Sequence, residues 1–91
     1  MGVITRDFTQ LTADGSSGEQ NIPVSGDYLF FVTGTFGGGT VTLEASPNGS
    51  TWYSVASATV ASRTKVFLGT GETVRVTVAG STTPTIDAGL R

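Results

Sequence analysis

The stretch Thr40–Ser46 (TVTLEAS) alternates without a break. Val41, Leu43 and Ala45 fall to one side of an extended chain, and Thr40, Thr42, Glu44 and Ser46 to the other. Turn chemistry closes on it from both ends: Gly37-Gly38-Gly39 precedes it and Pro47-Asn48-Gly49-Ser50 follows it. Glycine tolerates positive φ, proline presets φ, and asparagine accepts the left-handed region. A second strand opens on Thr51-Trp52-Tyr53-Ser54-Val55, so the stretch predicts a hairpin with a four-residue loop that carries the only tryptophan. No window elsewhere repeats apolar residues at i, i+3, i+4 and i+7, and β-branched residues and glycine are abundant throughout. The chain therefore reads as all-β.

The remaining segments fit that reading. Val3–Leu11 alternates but has no cleanly apolar face, which predicts an edge strand or an arm over residues 1–11. Thr12–Gly18 is a polar loop. Gln20–Val24 is a short strand whose Pro23 lacks a ladder donor and belongs at an edge. Tyr28–Thr35 holds the continuous apolar run Leu29-Phe30-Phe31-Val32, as expected of a strand covered on both faces. Ser57–Ala61 is weakly patterned. Ser62–Leu68 and Thr73–Ala79 are strands, the second with Val74, Val76 and Val78 inward, and Pro84–Leu90 closes the chain. Seven or eight short strands in one domain, residues 1–91, predict an antiparallel β-sandwich, jelly-roll or immunoglobulin-like, ahead of a small barrel.

A sandwich of 91 residues buries a modest core. With no cysteine and no histidine, it has neither a disulfide nor a zinc site to staple it. Tight β packing or self-association is the remaining route. Charged residues make up 13% of the chain, about half the usual share of roughly 25%, so the surface repels other copies weakly and suits lasting contact with protein. The net charge of −2 and the scattered positions of Arg6, Arg63, Lys65, Arg75 and Arg91 argue against a nucleic-acid partner. No apolar run is long enough for a membrane helix, and Met1-Gly2-Val3 does not begin a signal peptide.

Reactive chemistry is sparse. Lys65 is the only lysine that could serve a serine nucleophile, and its place between Thr64 and Val66 makes it a solvated strand residue. The acids are spread singly, with Asp14, Asp27 and Glu72 read as turn residues. No enzyme, cofactor or metal site is expected. Gly37-Gly38-Gly39 opens a strand rather than a helix, so it is a connecting loop and not a phosphate cradle. Trp52 and Tyr53 face opposite ways on one strand, which predicts one in the core and one exposed. Trp52 is expected to brace the two sheets. With Tyr28 and Phe36, these rings also allow an aromatic platform for sugars, so a carbohydrate-binding module is an alternative. An exposed Tyr53 or Phe36 is more often a protein-contact anchor. Phe30 or Phe31, whichever points away from the interior, is expected to touch another chain together with Arg6 and Phe8.

The pattern G-x-F-G-G-G-x-V-x-L-x-A-S-P-N-G-x-x-W over Gly34–Trp52 resembles small virion proteins of tailed bacteriophages. The preceding GDYLFFVTGTF and the later TVRVTVAGSTTPT extend the likeness to Gly26–Val55 and Thr73–Leu90. The resemblance implies a non-enzymatic capsid decoration (cement) protein. Its partners would be the major capsid protein and further copies of itself, a trimer among the options. It would be made in the host bacterial cytoplasm and placed on the virion surface. A tail, neck or fibre component is the alternative within the same particle. Binding only the assembled shell would stabilise that shell by mass action.

Overall fold

Thr40–Ser46, Ser62–Leu68 and Thr73–Ala79 are strands with the predicted bounds; the first and third turn the apolar side of their alternation to the interior, and the second buries only Val66 and Leu68. A computed structural model describes residues 6–8, 11–82 and 84–91. In chain order its strands are β1 Arg6–Asp7, β2 Gly15–Ser16, β3 Gln20–Asn21, β4 Gly26–Thr35, β5 Thr40–Ser46, β6 Tyr53–Ala58, β7 Ser62–Leu68, β8 Thr73–Ala79 and β9 Thr85–Leu90. They form two antiparallel sheets. Sheet A runs β1-β9-β4-β7, and sheet B runs β2-β8-β5-β6 with β3 also on β8. Taking β2 and β3 as one interrupted strand leaves eight, and this order in two sheets is the jelly-roll arrangement of the sandwich.

The core lies between the sheets. Sheet A contributes Tyr28, Phe30, Val32, Val66, Leu68, Ile86, Ala88 and Leu90, and sheet B contributes Val41, Leu43, Ala45, Val74, Val76 and Val78. Phe8, Leu11, Ile22 and Phe36 complete it. The Tyr28 hydroxyl escapes burial without a partner by donating to the Val24 carbonyl at 2.6 Å. The β4 run is apolar because β4 is central in sheet A, between β9 and β7. Its outward residues, Leu29 and Phe31, are half-buried, and the Arg91 guanidinium lies 4.7 Å from the Phe31 ring centroid.

Of the two options for the N-terminal segment, its described part takes the edge strand, pairing within its own chain: Arg6 and Asp7 align with Leu90 and Gly89 at the edge of sheet A, and Leu11 bridges Ile86. Residues 1–5, 9 and 10 of the expected strand lie outside the described residues. Other expectations need correction. The loop Thr12–Gly18 contains β2, because β8 offers its free edge to Gly15 and Ser16. Between β2 and β3 the chain bulges at Ser17, whose N–H donates to Val76 O while its Oγ accepts from Val76 N. Asp27 is not a turn residue. It stands in β4, aligned with Phe67, and pairs with Lys65 at 3.3 Å. Asp14 does act in a loop: its carboxylate accepts the N–H groups of Gly80 and Ser81 and the Ser81 hydroxyl, tying the β1–β2 connection to the β8–β9 turn.

Candidate binding face

The outer face of sheet B is built by the second half of each alternation. Thr42 and Glu44 of β5 stand beside Thr77 and Arg75 of β8, since Thr42 aligns with Thr77 and Glu44 with Arg75. On the other side of β5, Ser57 and Ser54 of β6 align with Thr42 and Glu44. Ser16 of β2 aligns with Thr77, and Asn21 of β3 with Thr73. This face is therefore lined by hydroxyls, with one carboxylate and one guanidinium at its centre.

These groups are joined. Arg75 Nε donates to Glu44 Oε1 at 2.8 Å, and the Thr77 hydroxyl donates to the same oxygen at 2.8 Å. Because the Thr77 proton goes to Glu44, Ser16 Oγ is the donor of the 3.1 Å bond to Thr77 Oγ1. At the far side Thr73 Oγ1 donates to Asn21 Oδ1 at 3.1 Å. The Arg75 guanidinium carbon lies 4.0 Å from the Trp52 ring centroid, so the indole and the guanidinium are stacked.

Trp52 reaches this face through its loop. Ser46 is fully buried, and its hydroxyl accepts the N–H groups of Gly49 and Asn48 while donating to Asn48 Oδ1. Asn48 Oδ1 in turn accepts from Ser50 N at 2.8 Å and Thr51 N at 2.9 Å. Gly49 takes φ +77°, a left-handed value that an L side chain resists. Replacing Asn48 by alanine removes the shared acceptor of two N–H groups. It is expected to lower stability by about 1 kcal/mol and to loosen Trp52, read as a fall in Tm with a red shift of tryptophan emission.

The expectation of a Trp52 that braces the two sheets is thus corrected. Ser54 aligns with Glu44 but Ala56 with Leu43, so Val55 is an extra residue in β6. Beyond this bulge Ala56 and Ala58 turn inward, while Trp52 stays half-buried on the polar outer face. Tyr53 is 59% exposed. Of the other residues expected to touch a partner, Phe8, Phe30 and Phe36 are buried and hold the sheets together, whereas Phe31 is the outward member of its pair. The Arg6 side chain lies outside the described residues. The structure does not gather Phe31 and Tyr53: they belong to different sheets.

The network has an electrostatic signature. The Arg75 hydrogen bond, helped by that of Thr77 and by the Arg75 charge, outweighs partial desolvation and holds Glu44 below its ordinary value of 4.5. A depressed carboxylate stabilises the fold above its unfolded pKa and loses that contribution as pH falls through the folded one. A drop in Tm is therefore expected as pH falls below 4.5 and through the lowered folded value, with Asp14 adding to it, since its Ser81 and Gly80 hydrogen bonds lower it too. In Glu44→Gln the Glu44 share, at most about 1 kcal/mol for this half-buried pair, disappears from thermal melts across that range.

Among the described residues no group of three or more acids comes together in a way that would hold a metal ion. No helix among them is long and apolar enough to cross a membrane.

No protein-family model and no curated protein matches this chain. Among solved structures, the carbohydrate-binding module CBM6cm-2 of Cellvibrio mixtus lichenase 5A, in complex with cellotriose, is similar to it. The TM-score is 0.58 at 17% identity, over 100% of this chain and 98% of that one. The likeness therefore spans the entire sandwich, and at that identity it establishes a shared fold.

Proposed function

We propose that this chain is a non-catalytic recognition module that holds a carbohydrate chain on the outer face of sheet B. The observation that carries the reading is the Trp52 indole laid on a face of hydroxyls beside an anchored Arg75–Glu44 pair. A pyranose needs this combination: ring C–H surface to pack on an aromatic, and vicinal hydroxyls to meet donors and acceptors held in place. Thr42, Ser54 and Ser57 extend the polar surface across β5 and β6. The full-length likeness to a carbohydrate-binding module in complex with cellotriose supports the choice of ligand class. Calorimetric titration with cello-oligosaccharides and mixed-linkage β-glucans tests it. Saturable binding is expected, and silence across a broad neutral-glycan array removes the reading.

A second reading, capsid decoration, is favoured by a different observation. The glycine-rich stretch that resembles phage virion proteins forms β5 and the connections on either side of it, and the outer face of sheet A presents Leu29, Phe31 and the 66% exposed Phe67. On this reading that face meets the major capsid protein on the virion surface. Co-sedimentation with expanded phage heads, strong for the wild type and lost in Phe67→Asp, supports it. Absence of binding to any assembled shell counts against it.

A further inference from the structure

The two sides of the sandwich end differently. On one side the edges are the strands β1, β2 and β3, each two residues long among the described residues. On the other, β6 with six residues and β7 with seven end sheets B and A with no strand beyond them among the described residues. Among the described residues, three of the four exposed large apolar side chains lie on this long-edged side: Tyr53 at 59%, Val60 at 66% and Phe67 at 66%. A long open edge carrying apolar side chains is a template for another strand.

We infer that the occupant of the β7 edge is a second copy of this chain, paired antiparallel about a twofold axis through Lys65, so that two four-stranded sheets join into one of eight. The register follows from Arg63. On the outer face β7 presents Arg63, Lys65 and Phe67, next to Phe31, Leu29 and Asp27 of β4. Lys65 already has Asp27 at 3.3 Å, and the Phe31 ring has Arg91 over it, but Arg63 makes no ion pair among the described residues. With Lys65 on the axis, Arg63 of each copy lies opposite Phe67 of the other, with that copy's Asp27 one strand further on. The cation then gains an aromatic face and a carboxylate behind it, twice per dimer. Two Lys65 ammonium groups meet on the axis, a like-charge cost that the Asp27 beside each of them offsets. On the inner face the same register sets Thr64 against Val66 of the other copy, continuing the alternation of β7 across the seam. Such an interface is isologous and closes on itself, so it makes a dimer and not a fibre.

The dimer stands or falls independently of the sugar-binding face, which belongs to the other sheet. Sedimentation velocity and light scattering on the full chain at micromolar concentration are expected to give twice the chain mass. Arg63→Glu places an acid against Phe67 and Asp27 of the other copy and is expected to raise the dissociation constant at least about tenfold, with Tm measured at low concentration unchanged. Phe67→Lys alone weakens the dimer as well. The double variant Arg63→Glu/Phe67→Lys restores it, because the two substituted positions face each other. A monomeric wild type, a trimer, or a dimer indifferent to Arg63→Glu overturns the inference.

Discussion

Alanine at position 34 is expected to destabilise this domain by at least about 3 kcal/mol, a fall in Tm of roughly 12–24 °C for a chain of this size. Gly34 lies in β4 aligned with Ile86 of β9, at φ +111°, and a Cβ built there would stand 2.1 Å from the Thr85 carbonyl oxygen. Two costs combine. The backbone is in a region that L side chains resist, and the obstacle is neighbouring main chain rather than a side chain that could swing aside. Relief would require β4 and β9 to part at the end of their shared ladder. Gly80 separates the two causes. It has φ +71° but nothing within 4 Å of its would-be Cβ, so Gly80→Ala is expected to cost about 1 kcal/mol, from backbone conformation alone. Equal losses in the two variants, measured by urea denaturation, would mean that contact with Thr85 contributes nothing.

Trp52→Ala is expected to abolish most carbohydrate binding while leaving the fold intact. Losing an aromatic platform of this size costs about 2 kcal/mol of binding, roughly thirtyfold in Kd. In the free protein the indole is half-buried on the outside of sheet B, and what it loses is its stack with Arg75 and part of its loop packing, about 1 kcal/mol. The two readouts should therefore part, with a large change in affinity and a small one in Tm. Arg75→Lys refines the test. It keeps the positive charge beside Glu44 but not the flat group over the indole, so binding is expected to fall partway while the pH response of Glu44 persists. A Tm loss in Trp52→Ala as large as in Gly34→Ala would instead mark Trp52 as a member of the core.

How much of this was legible before the coordinates depends on the segment. β5 and β8 run as their alternation dictates, because each has one face on the core and a one-residue slip would invert every side chain. The jelly-roll order is not written in any single segment, since it arises from which edges pair. β2 illustrates this: Gly15-Ser16 has no strand pattern and is a strand because β8 has an open ladder beside it. Trp52 escaped the reading for a local reason. The bulge at Val55 adds one residue to β6 and resets which residues face in, and nothing in YSVASA marks where the extra residue falls. The choice between Phe30 and Phe31 likewise waited on the register of β4 against its neighbours. The Glu44–Arg75 pair was half visible. Each residue sits on the polar side of a clean strand, but only the β5–β8 register brings them to 2.8 Å.

The most direct measurement is an amide chemical-shift map of the labelled protein titrated with cellotriose or a longer β-glucan oligosaccharide. Shifts confined to the outer face of sheet B, centred on Trp52, Glu44, Arg75 and Thr77 and absent in Trp52→Ala, are the predicted result. Shifts centred on sheet A, or none at saturating sugar, would contradict the assignment of this face.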